Sequence, residues 1–506
     1  MKWLDRATAW AKKLWQPGDG LSQRAAQSGV WALGLRGVSR VARFGRTVAL
    51  ARLLSPEDFG LMGLALLAVS TLSTFTQTGF SSALVQKRGN VDAYLDTAWT
   101  FSLLRAAVLS AALLLAAPFL AHFFDEAAAV PIIRVVAISV LLRGFENISM
   151  LQFQRDLEFG KTFVFEVSSI LAELSVALVS AFLLRSVWAL VLGLLAERLT
   201  RVALSYVIHP YRPALRLDLG KASQLFGYGK WLSLSHILIF VGSRGDDLVV
   251  GRIMGTTALG LYQLAYKISQ LAVTDTTYVI ERAAFPTYAK LQAEQVRLRS
   301  AYFRIAGLSL ALSMPAAFGI IALSGDFVGI FLGNDWLRMI PAVRVLAVAA
   351  LMKSIVSTGS PLFKGSGRPQ FEFQMQLARA FTVGAFIIPF SMRWGIVGGA
   401  LTVVFSSVSM FAVWYARIAT LLQPQFRDWI GAFGPPLIGS AALLGSIQAL
   451  RGLTKSLLVE STGGQIAWFM LTVCVAIAAH ALAFSLSEPV LSRHRVVREV
   501  VEAIKR

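Results

Sequence analysis

Residues 28–65 read SGVWALGLRGVSRVARFGRTVALARLLSPEDFGLMGLA, and residues 228–265 read YGKWLSLSHILIFVGSRGDDLVVGRIMGTTALGLYQLA. At an offset of 200 the two align without a gap. They share nine identities: Gly29/Gly229, Trp31/Trp231, Val41/Val241, Gly45/Gly245, Arg52/Arg252, Gly60/Gly260, Leu61/Leu261, Leu64/Leu264 and Ala65/Ala265. About three would be expected from so apolar a composition. Each copy is a long apolar span, an arginine, a short turn and a second apolar span, so the repeated unit is a pair of membrane helices. Related halves around a central cavity are a common transporter plan.

Composition agrees. With 56% hydrophobic and 15% charged residues among 506, no soluble fold buries enough apolar surface, and the chain reads as an all-α polytopic membrane protein. Crossing the bilayer takes about 20 apolar residues. Fourteen spans fit, at 28–50, 59–80, 98–120, 130–149, 164–184, 187–208, 227–250, 259–280, 301–324, 340–361, 376–392, 395–416, 430–450 and 465–486. The repeat divides them into an N-lobe of spans one to six (28–208), a linker (209–226) holding Pro210 and Pro213, and a C-lobe of spans seven to twelve (227–423). Two spans outside the repeat follow (424–486), then a basic tail (487–506). Residues 1–27 mix lysine and arginine with Trp3, Trp10 and Leu14, as an interfacial helix does.

The net charge of +20 is a topology signal. Segments on the side of the termini hold 25 lysines and arginines, and the opposite loops hold seven. By the positive-inside rule both termini are cytoplasmic and the excess implies no nucleic-acid partner. Cys474 is the sole cysteine, so no intrachain disulfide forms, and the five histidines lack metal spacing. Gly365-Ser366-Gly367 lacks the Lys-Ser/Thr of a phosphate loop and reads as a turn. Loops of at most about twenty residues are typical of compact bundles and leave no room for a catalytic domain. No catalytic residue, metal or cofactor is expected.

Charge inside spans marks cavities, partners or function. Arg36, Arg40, Arg43 and Arg46 form a stripe about 120° wide and about 15 Å long on span one. Three readings stand: a helix lying partly at the surface, pairing with acids such as Glu146, Glu166, Glu173 or Glu197, or an anion-binding, water-filled cavity. Span seven carries Arg244, Asp246 and Asp247; span eight carries Gln263, Lys267 and Gln270 on one face. Asp246 or Asp247 is a candidate coupling-ion site, with a plain ion pair to Arg244 or Lys267 as the alternative. Further spans carry Arg105, Arg134, Arg143, Arg201, Arg344, Lys353 and Arg379, several of which read as side chains snorkelling to an interface.

The stretches RLLSPEDFGLMGLA (52–65), QTGFSSALVQKR (77–88), QFQRDLEFGK (152–161), GTTALGLYQLAYKI (255–268) and AAFPTYAKLQ (283–292) resemble the Wzx-type oligosaccharide flippases of the multidrug/oligosaccharidyl-lipid/polysaccharide exporter superfamily, of the colanic-acid and teichuronic-acid exporter type. The resemblance implies two six-helix lobes set as a V plus two extra C-terminal helices. It further implies movement of undecaprenyl-pyrophosphate-linked oligosaccharide from the cytoplasmic to the periplasmic leaflet of the bacterial inner membrane, with lipids and the polymerase and chain-length proteins of the pathway as partners. Beside the resemblance, Arg36, Arg40 and Arg43 supply the clustered cationic donors a pyrophosphate needs; Arg46, Arg244 and Lys267 are further candidate cavity residues, and Trp31, Gln77, Trp231, Gln263 and Gln270 are candidates to face sugar, each aromatic with packing or interfacial anchoring as its alternative. Moving about two negative charges outward gains about 4–5 kcal/mol per 100 mV. The rivals are an ion-coupled multidrug exporter, which the arginine stripe disfavours, and a membrane polymerase or glycosyltransferase, which would need a large extracytoplasmic loop.

Overall fold

The computed structural model describes residues 21–76, 92–155, 158–271, 284–454 and 461–491, and among these all regular structure is helical. In order come α1 (Leu21–Leu53), α2 (Pro56–Phe75), α3 (Asp92–Phe123), α4 (Ala129–Gly144), the short α5 (Met150–Arg155), α6 (Phe159–Leu184) and α7 (Trp188–Ile208). Then follow α8 (Leu219–Gln270), α9 (Gln295–Phe327), α10 (Ile340–Ser357), α11 (Gly359–Gly365), α12 (Gln370–Leu422), α13 (Phe426–Thr454) and α14 (Thr462–Leu491). Backbone breaks at Gly255 (φ 79°) and Gly395 (φ 61°) divide α8 and α12 into two arms each. Counting the arms, each of the fourteen expected spans has its described residues at least in part on a helical stretch of its own; 77–80 of the second and 272–280 of the eighth lie outside the described residues.

Nine stretches among the described residues are long and apolar enough to cross a membrane. The exceptions have visible causes: α1 carries the arginine stripe, α4 has only 16 residues, and α7 carries Glu197, Arg198 and Arg201. Residues 21–27, expected in an interfacial helix, instead begin α1, and residues 1–20 and 492–506 lie outside the described residues. The non-helical linker is also shorter than expected. Non-helical chain covers 209–218 and α8 begins at Leu219, since no proline after Pro213 stops the helix.

The chain divides into two compact units, Met1–Phe240 with Gly255–Thr257, and Val241–Met254 with Ala258–Arg506. In the first, small residues set helix spacing. A Cβ on Gly193 would lie 2.7 Å from Ala177 Cβ, and one on Gly144 2.6 Å from Ala106 Cβ, so α7 sits close on α6 and α4 close on α3. The linker is tied to the start of α3. Asp96 accepts the Tyr211 hydroxyl and, at 2.9 Å, the Ala214 amide; Thr100 Oγ1 accepts the Arg216 amide at 3.0 Å.

In the second unit an aromatic core gathers Tyr288, Tyr302, Phe303, Phe363 and Trp414. The helices outside the repeat, α13 and α14, pack on α9 through Leu323, Leu443, Ile447 and Ala476. Pro315 lies inside α9 and has no N–H, so the carbonyl of Ala311 loses its helical donor. The Nε2 of buried His480 on α14 donates to that carbonyl at 3.0 Å. Gly439 on α13 admits the ring, since a Cβ there would stand 2.6 Å from Nδ1.

Candidate functional site

The arginine stripe lies on α1, which packs against α6. Arg46 is paired with Glu173 of α6, as the pairing reading expected. Arg43 is exposed, and Arg36 and Arg40 are half-buried, each with an interaction of its own. Gln77, expected to face sugar, lies outside the described residues. Trp31 is half-buried, its ring 5.1 Å from Phe163 and against Gly160, the packing alternative for this residue.

In the second unit the two acids of α8 are buried side by side. Asp247 Oδ2 takes Nη1 of Arg244 at 3.0 Å, the ion pair expected one turn away. Asp246 is held differently. The Tyr262 hydroxyl donates to its Oδ2 at 2.8 Å, while Oδ1 accepts no hydrogen bond from the described residues. Gln263 faces Asp247; Arg379 and Lys353 supply the positive charge around Asp246. Lys267, on the same helical arm, is exposed and Gln270 is buried.

The cationic cavity lies elsewhere. A cavity of about 700 Å³ opens in the first unit among α2, α3, α4, α6, α7 and the turn after α4. Arg105, Arg143, Arg198 and Arg201 line it, against Glu146 and Glu166. None of the four stripe arginines does. Arg201 is locked: Nε and Nη2 meet Glu146, each at 3.1 Å, Nη1 meets Glu166 at 2.9 Å, and the guanidinium stacks 4.5 Å over Phe165. Arg105 donates to the carbonyls of Thr76 (2.8 Å) and Ser73 (2.9 Å), capping the end of α2. The linker closes on the same end, where Asn147, in the cavity wall, donates to the Tyr211 carbonyl at 2.7 Å.

Arg105, Arg143 and Arg201, which the sequence placed in a group of span cations several of which read as snorkelling, thus turn inward together, and Arg198 was not singled out at all. The signal that could have found them is spacing: Arg198 and Arg201 lie three apart on one face of α7, and Glu146 follows three residues after Arg143. Among the described residues no group of histidine, cysteine and carboxylates could hold a metal.

Solved structures share this fold. The inward closed lipid II flippase MurJ superposes with a TM-score of 0.67 at 14% identity, covering 90% of this chain and 98% of its own. An inward-facing MATE-family multidrug resistance transporter of the MOP superfamily gives 0.59 at 15% identity, covering 76% and 96%. Among sequences, the lipopolysaccharide biosynthesis protein WzxC of Escherichia coli is 25% identical over 75% of this chain and 78% of its own length. The succinoglycan biosynthesis transport protein ExoT of Rhizobium meliloti is 25% identical over 70% of each. Residues 49–341 match the family described as polysaccharide biosynthesis protein. That match covers more than half the sequence, and this multi-pass membrane chain belongs to the polysaccharide biosynthesis protein family.

Proposed function

We propose that the chain is a flippase that carries an undecaprenyl-pyrophosphate-linked oligosaccharide from the cytoplasmic to the periplasmic leaflet of the bacterial inner membrane, for cell-surface polysaccharide assembly. The observation that carries this reading is the net-cationic cavity inside a membrane-spanning unit, four arginines against two glutamates. Such a cavity suits a phosphate-bearing headgroup, whose charge is costly in hydrocarbon and favourable beside guanidinium groups. The polyprenyl tail can stay in lipid. The positive-inside count puts both termini, and with them the linker end of the cavity, on the cytoplasmic side where the cargo is made. Relatives named for lipopolysaccharide and succinoglycan biosynthesis support the cargo class. In this reading the two repeat halves act as lobes in alternating access, Arg36, Arg40 and Arg43 serve the pyrophosphate along its path, and Asp246 or Asp247 takes a coupling cation.

The test is deletion of the gene in its host. Surface polysaccharide should fall and lipid-linked oligosaccharide should accumulate in the inner leaflet, both reversed by the restored chain. Unchanged polysaccharide with no accumulation would sink the proposal.

A further inference from the structure

The four cavity arginines are not equivalent. Arg201 spends three N–H groups on two carboxylates and its face on Phe165. Arg105 is spent on the end of α2. Arg198 lies 3.8 Å from its neighbour Glu197, too long for a hydrogen bond. The Arg143 guanidinium makes no hydrogen bond and no ion pair among the described residues, although Glu146, whose amide donates to the Arg143 carbonyl at 3.3 Å, lies three residues further along the chain. An unpaired guanidinium beside a carboxylate within reach needs an explanation. Arg201 supplies it, because the bidentate fork occupies both oxygens of Glu146.

From this arrangement we infer that Arg143 and Arg198 form a diphosphate-binding pair, and that Arg201 is a positioning residue that keeps Glu146 from occupying Arg143 in the ligand's place. The inference rests on the proposed phosphate-linked cargo and adds where its charge is held. A planar guanidinium with free N–H groups matches a phosphoryl oxygen pair, and two of them meet a diphosphate better than a monophosphate. The rest of the wall suits a glycosylated ligand. Ser70 and Thr74 donate to backbone carbonyls of their own helix, which leaves their oxygens as acceptors for hydroxyl groups. If Arg201 is lost, Glu146 is freed to swing onto Arg143 and fill the site from within. The protein would then carry its own competing anion.

The experiment uses the full chain in nanodiscs with three probes: farnesyl diphosphate, farnesol and inorganic diphosphate. Farnesyl diphosphate should bind and farnesol should not. Binding of inorganic diphosphate alone, with no gain from the prenyl chain, would assign the site to a free anion and overturn the lipid-linked form. Arg143→Gln and Arg198→Gln should each weaken farnesyl diphosphate binding about tenfold to a hundredfold, the loss of a charge-assisted contact. Arg201→Gln should weaken it as well, and the double variant Arg201→Gln/Glu146→Gln should recover most of the affinity. Unchanged binding by Arg143→Gln with an unaltered melting profile would overturn the site. Failure of the double variant to recover, with folding intact, would make Arg201 a plain structural tie. Diphosphate binding that depends on Arg143 in a chain whose deletion leaves polysaccharide export untouched would uphold the site and reject the flippase reading; export without any effect of Arg143 would do the reverse.

Discussion

Ser55 and Gly255, 200 residues apart in the two copies of the repeat, break the helical path at the same position by different chemistry. Ser55 is extended (φ −78°, ψ 161°) and caps α2 through a reciprocal pair with Asp58: the Asp58 amide donates to the serine Oγ at 3.2 Å, and the Ser55 amide to the carboxylate at 2.9 Å. Gly255 has no cap and turns by φ 79°, ψ −179°, a region open essentially only to glycine. Gly255→Ala should therefore cost about 1–3 kcal/mol from backbone strain alone, and Ser55→Ala about 1 kcal/mol from the lost cap. Thermal unfolding of the purified variants checks the order. Equal loss at both sites would contradict it.

Gly60 is pressed directly on the backbone of Thr256, where a Cβ would fall on the carbonyl, and the Thr256 hydroxyl donates to Glu126 at 3.0 Å. Gly45, by contrast, faces open space. Gly60→Ala should sharply lower membrane abundance and Gly45→Ala should not, as read by quantitative immunoblot.

His480→Leu removes the donor to the Ala311 carbonyl and should cost about 1–3 kcal/mol for a buried acceptor left unpaired. Pro315→Ala returns the helical N–H to that carbonyl. In a double-mutant cycle by thermal unfolding, His480→Leu should cost measurably less in the Pro315→Ala background. Additive losses would mean that the histidine acts through packing alone.

Along α1, Arg46 and the other stripe arginines should part company. Arg46→Ala strands Glu173 without its partner and should reduce abundance, with recovery in Arg46→Ala/Glu173→Gln. Arg40→Glu should leave abundance normal and abolish export, with Arg40→Lys intermediate because the charge stays and the planar fork is lost. Full export by an Arg36/Arg40/Arg43 triple alanine variant at normal abundance would remove the stripe from the transport path.

For orientation, reporter fusions at Arg88, His209 and Arg493 should read cytoplasmic, and those at Asp125, Asp335 and Leu453 the opposite side. A periplasmic signal at Arg493 would require an odd number of spans.

The sequence by itself determined the helical plan, because each span must be apolar for about twenty residues whatever its neighbours do. That local demand made most of the stretches readable, α1, α4 and α7 departing from it through charge or short length, and the gapless repeat marked the helix breaks near residues 55 and 255. The pairing of Arg46 with an acid of the next packed helix was also open to sequence, as one of three readings. What the tertiary structure alone decided was direction. A sequence shows that Arg105, Arg143, Arg198 and Arg201 sit in spans. It does not show whether they turn to an interface or to one another, since that depends on how α3, α4 and α7 are rotated and how closely Gly144 and Gly193 let them approach. The same holds for His480, whose partner carbonyl exists only because Pro315, 165 residues earlier, withholds a donor.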